Sequence, residues 1–226
     1  MKLSIRSISF AAATLALAAS ANALTVDWTK SQGASVMAFS DAAVDLLKTN
    51  GTKVTALGNT TVVTAGKVFS LPITSITING SLKVASGEAS GSALNMLRTT
   101  FDENDVATVS GVVLANFTLD YINHKVMADL TPKGGTTTKQ SSVFTFHDAT
   151  PLALKYKFPL TVTGHEVLDK LFVTPEALAI FASGLGLQGE DILNLVRNTD
   201  FGTLTQDIST NARKPAVNKT PYVPAP

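Results

Sequence analysis

Cysteine is absent from the 226 residues, tryptophan occurs once, and tyrosine and histidine occur three times each. Without thiols there is no disulfide scaffold, no thiolate nucleophile and no Cys-based metal site, so the fold must rest on buried apolar surface. Charged residues make up 15% of the chain and nearly cancel, to a net +1. A balance so near neutral gives no electrostatic case for nucleic acid or an anionic membrane. So few Trp and Tyr also lean away from carbohydrate binding, which favours exposed aromatic platforms. No stretch reaches the roughly 20 apolar residues of a membrane span, so none is expected.

The chain begins with Lys2 and Arg6, then an apolar run over residues 8–19 broken only by Ser and Thr, then Ala21, Asn22 and Ala23. Small residues at the −3 and −1 positions complete the pattern of a secretory signal peptide cleaved after Ala23. The expected location is therefore periplasmic or extracellular. Three parts are expected: the signal peptide at 1–23, a single β-rich domain at 24–211, and a flexible, Pro-rich tail at 212–226 with prolines at 215, 221, 224 and 226. The signal removes two basic residues and no acidic ones, leaving sixteen against seventeen.

Within 30–51, Ser40 followed by Asp41 gives a helix start, Phe39 can staple onto Val44, and Asn50-Gly51 gives the stop. Residues 53–146 have the Thr, Val, Ile and Gly content of strands and turns. Phe69, Leu71 and Ile73 alternate in one phase, Ile76 and Ile78 in the other, which predicts a bend near Thr74-Ser75. Phe117, Leu119 and Tyr121 alternate before Asn123-His124, and Val126, Ala128 and Leu130 after it, which predicts a hairpin. Leu152, Leu154, Tyr156, Phe158, Leu160 and Val162 read as one strand with a buried face, Pro159 marking an edge or bulge. Thr174-Pro175-Glu176 opens a helix that ends at Gly184 or Gly186, and a second short helix covers 190–197 with Ile192, Leu195 and Val196 on one side. The expected fold is mainly β, a β-sandwich-like domain with one N-terminal helix and a C-terminal helical pair.

Chemistry is thinly signalled. His124, His147 and His165 lack the spacing of a helical metal motif, so no metal site is expected. Gly87-Glu88-Ala89-Ser90-Gly91 has its serine one place too late for a nucleophile elbow and reads as a glycine-rich turn. Asp102, Glu103 and Asp105 read as a solvated loop rather than paired catalytic acids. Asn116 is one of several Asn-X-Ser/Thr triplets, for which chance is the better explanation in so Asn- and Thr-rich a chain.

The segments 114–120 with 125–130, and 173–178 with 199–204, resemble uncharacterised exported proteins of proteobacteria that are distantly similar to the β-rich HtaA-type domain of surface haem-binding proteins. The resemblance implies a β-rich fold in which a tyrosine supported by a histidine binds haem. Tyr121 with His124 is the only nearby Tyr and His pair, and these two are the candidate ligand-binding residues. The residues themselves require no cofactor and no catalytic group. The leading expectation is an exported, non-enzymatic binding or structural protein of the bacterial envelope, whose partner is a small ligand or an envelope component. A carrier of haem or of a small apolar ligand is the first alternative, and a self-assembling surface or matrix subunit the second.

Overall fold

The computed structural model describes residues 23–81, 83–158 and 161–225, so nearly all of the signal segment lies outside the described residues. The strands are β1 (Leu24–Asp27), β2 (Ser31–Phe39), β3 (Thr52–Gly58), β4 (Thr61–Thr64), β5 (Val68–Pro72), β6 (Ser75–Ile78), β7 (Val84–Phe101), β8 (Ala107–Asp120), β9 (Lys125–Pro132), β10 (Thr138–Lys157), β11 (Thr161–Val173) and β12 (Gly202–Ala212). The helices are α1 (Asp41–Thr49), α2 (Pro175–Leu185) and α3 (Glu190–Asn198). The strands form one antiparallel sheet in the order β1-β6-β7-β8-β9-β10-β11-β12-β2-β5-β4, with β3 added beside β7. The mainly-β class read from the sequence holds.

A single sheet replaces two stacked ones because it curls until its limbs face each other. β5 pairs with β2 as far as Pro72 opposite Ala34. The Ile73 N–H then donates to the Gly33 carbonyl (3.0 Å), and the next N–H, of Thr74, donates to the Glu88 carbonyl (2.8 Å). From Ser75 onward the chain pairs with β7 as β6. The change of alternation phase between Ile73 and Ile76 is this transfer from one limb to the other. One core lies inside the curl, with Phe69, Leu94, Leu130, Leu168 and Leu171 fully buried.

α1 starts at Asp41, with the Ser40 hydroxyl accepting from the Ala43 N–H (3.0 Å). Residues 31–39 before it form β2, because Gly33, Ser35, Met37 and Phe39 alternate inward. α2 has Thr174 as its cap, Pro175 at the first position and Gly186 in the left-handed conformation at its end. Gly184 lies inside α2, where a Cβ would stand 2.4 Å from Val112 Cγ2, so the missing side chain lets the helix sit directly on β8. α2 and α3 close one end of the core with Phe181, Leu185 and Val196, while Leu195, expected on the same side, is exposed.

Two sequence expectations are corrected. Residues 87–91 lie within strand β7, where a register shift between Ala89 and Ala93 forms a bulge and Gly91 takes φ +77°. Glycine there serves the bulge, not a turn. The alternating run 152–162 is not one half-buried strand: β10 ends at Lys157 and β11 begins at Thr161, paired opposite it. Leu154, Tyr156 and Phe158 are 62%, 64% and 85% exposed. β9 stops at Lys125, opposite Thr145, so the outer part of the β10–β11 hairpin extends past the strands that would have covered it.

Residues 213–225 of the tail run extended along the sheet. Its Arg213 and Val217 N–H groups donate to the Lys30 and Thr29 carbonyls, and Lys219 reaches Asp27 at 3.0 Å. Asn116 receives the Tyr222 N–H (2.7 Å) and donates to the Tyr222 carbonyl (3.0 Å).

Candidate functional site

Near the closure of the curl the sheet encloses an apolar cavity of about 50 Å³. Met37, Leu71, Ile76, Leu119, Phe144 and Leu204 supply its walls, each an inward position of its strand. Met37 and Phe144 also line a second void, of about 30 Å³, beneath α1 and α2, so these two side chains divide the interior. Methionine at a partition is adaptable, since its unbranched chain fills irregular gaps.

Polar side chains interrupt this apolar wall at Glu88 on β7, whose carboxylate accepts from the Ser75 hydroxyl (2.8 Å), and at Ser35, Tyr121 and Gln206. Glu166 on β11 stands opposite Gln206 on β12, and Gln206 stands opposite Ser35 on β2. All three are buried, at inward positions that alternation would fill with apolar residues. Gln206 Nε2 donates to Ser35 Oγ (2.7 Å), and the Tyr121 hydroxyl donates to Glu166 Oε2 (2.6 Å). A bulge in β10 adds a third donor to this row. Thr150 pairs with Val167 and Ala153 with His165, so Pro151 and Leu152 together face Glu166, and the Leu152 N–H donates to its carboxylate.

Burial pushes the Glu166 carboxyl above its usual range, and the Tyr121 hydrogen bond pulls it partly back. The Asp148 carboxylate adds to the upward push. Burial, followed by the charge and hydrogen bond of Glu166, raises the Tyr121 phenol far above its ordinary value. This arrangement holds Tyr121 as a neutral donor.

Tyr121 therefore lines the cavity, as Ser35 and Gln206 do. His124 does not point to the same place. It sits in the β8–β9 turn with its side chain 54% exposed and Nδ1 3.9 Å from Asp148. Both rings pack on Phe146, at centroid distances of 6.1 Å for Tyr121 and 5.5 Å for His124. The hairpin thus brings the pair to one phenylalanine without joining hydroxyl to imidazole. The residues do not fit a haem held by tyrosinate: the hydroxyl is engaged with Glu166, and that neighbour opposes its ionisation.

The remaining candidates are ordinary. His147 and His165 each meet an aspartate, Asp169 and Asp207, at 2.8 Å on the exposed face of the sheet. Asp102 caps its own loop by accepting from the Asn104 and Val106 N–H groups. No cluster of three or more metal-ligating side chains occurs among the described residues, and none of their helices is long and apolar enough to cross a membrane. Comparison with protein-family models, curated proteins and solved structures gives no match.

Proposed function

We propose that this is an exported, non-enzymatic binding protein of the bacterial envelope, and that its curled sheet takes up a small, mainly apolar molecule with one hydrogen-bonding end. The observation that supports the reading is the apolar cavity with a few polar groups in its lining, Ser35, Gln206, Glu88 and the Tyr121 side chain that Glu166 holds from behind. Ligand sites commonly combine apolar lining with a few placed polar groups. The cavity is well below the roughly 300 Å³ at which drug-sized sites begin. The ligand is accordingly small, or enters as Met37 turns and joins the two voids. A hydroxyl or amine end suits the acceptors Ser35 and Glu88, whereas a carboxylate would meet an acid. A neutral, hydrogen-bonded Tyr121 is a poor base, which supports binding over catalysis.

Gly87 gives a clean test, because it lines the cavity and a Cβ there meets no atom within 4 Å. Gly87→Val should fill the space, keep the fold, and hold stability or raise it by about 0.5–2 kcal/mol. Titration with a fluorescent apolar amine should give saturable binding to the wild type and none to Gly87→Val. Equal binding by both proteins would put the ligand elsewhere.

A further inference from the structure

The outer β10–β11 hairpin carries the most exposed large apolar side chains of one segment, Leu154, Tyr156 and Phe158. Lys155 and Lys157 alternate with them, both exposed, and residues 149–164 contain no acid. On the adjoining strands the acids Asp169 and Asp207 are each paired with a histidine. At the base of the hairpin, the Phe146 N–H donates to the His124 carbonyl (3.1 Å), which brings the β8–β9 turn and its 71% exposed Ile122 to the same end of the molecule.

Two occupants compete for such a surface, a strand of another chain or a lipid surface. Strand addition needs an open, flat edge. This edge has Pro151, a bulge at Pro151–Leu152 and two lysines, the devices by which proteins prevent edge pairing. A second copy added antiparallel would also bring the lysines of both copies together. Lipid has the opposite requirements. Apolar and aromatic side chains enter the headgroup boundary, Tyr keeps its hydroxyl at the wet side, and flanking lysines extend to anionic phosphates.

We infer that the exposed outer part of β10 is a peripheral docking site for an anionic lipid surface, with Leu154, Tyr156 and Phe158 inserted and Lys155 and Lys157 on the headgroups. Leu152, on the same strand, lines the cavity, so the docked edge leads to its wall. Docking does not depend on what the cavity holds.

The test is co-sedimentation of the full protein with vesicles of phosphatidylethanolamine and phosphatidylglycerol, beside vesicles of phosphatidylcholine alone. The wild type should sediment with the anionic vesicles and be released by salt. Phe158→Asp should abolish sedimentation, and Lys155→Gln with Lys157→Gln should weaken it about 25-fold, at roughly fivefold per lysine. Phe158 is 85% exposed, so its variant should fold, and retained binding of the apolar amine probe would show that only docking is lost. Equal sedimentation of wild type and variants would overturn the inference. So would a failure of the wild type to sediment, or a concentration-dependent dimer that Phe158→Asp abolishes, which would give the edge to a second copy.

Discussion

Tyr121 and Glu166 form a contact whose value depends on pH, because burial raises the carboxyl while the phenol donates to it. A raised folded-state pKa means the native protein holds the proton more tightly than the unfolded chain. The stability this confers is fully present below the ordinary carboxylate value and is lost as pH rises through the raised one. Glu166→Gln cannot titrate, so its melting temperature should fall less than that of the wild type over that limb. A pair of profiles with the same slope would contradict the assignment. Asp27, held at about 2 by the Thr29 hydrogen bonds, works in the opposite direction in both proteins. Tyr121→Phe removes one of the donors to Glu166 and should cost about 1–3 kcal/mol in denaturant unfolding; no loss would mean that water replaces the hydroxyl. Tyr121 entered as a candidate only beside His124, through the resemblance to a haem-binding domain. Glu166 and Gln206 stand on the apolar phase of Gly164–Glu166–Leu168 and Leu204–Gln206–Ile208, which marks them as inward polar residues. Nothing in one sequence says that those phases belong to neighbouring strands, so the polar row emerges only with the register.

Among elements, the Asn116 side chain holds the tail at Tyr222. Asn116 has φ +54°, a region Asn tolerates better than most residues, and its amide serves Gly91, Asp129 and both backbone groups of Tyr222. Asn116→Ala should release the tail near Tyr222, seen as faster proteolysis there, with a loss of about 1–3 kcal/mol for the groups left without partners. Unchanged proteolysis would show that Lys219 and the bonds at Thr29 and Lys30 suffice. Caps and stops act within a few residues: Ser40 and Thr174 each accept from an N–H of the first turn of α1 and α2, and Gly186 takes the left-handed conformation at the end of α2, whereas α3 starts at Gly189 with no side-chain cap. The same local rule failed at 152–162, where alternation continues through a hairpin and the apolar face has no strand above it. Docking of the tail was equally out of reach, since its partner Asn116 lies 106 residues away.

For the whole molecule, the transfer of the chain from β2 to β7 at Ile73 and Thr74 turns a sheet into an enclosure. The phase change in the sequence pointed to the bend, but not to the closure, which depends on two limbs meeting. An enclosure whose walls are apolar, with voids of about 50 and 30 Å³ on either side of Met37 and Phe144, departs from the close packing of an interior built for stability alone. That departure supports the proposed binding role. Native mass spectrometry of the protein purified from its own host tests it most directly. The account predicts the chain mass plus one discrete small molecule for the wild type and the bare chain for Gly87→Val. A bare chain from both, under conditions that preserve noncovalent complexes, would contradict it.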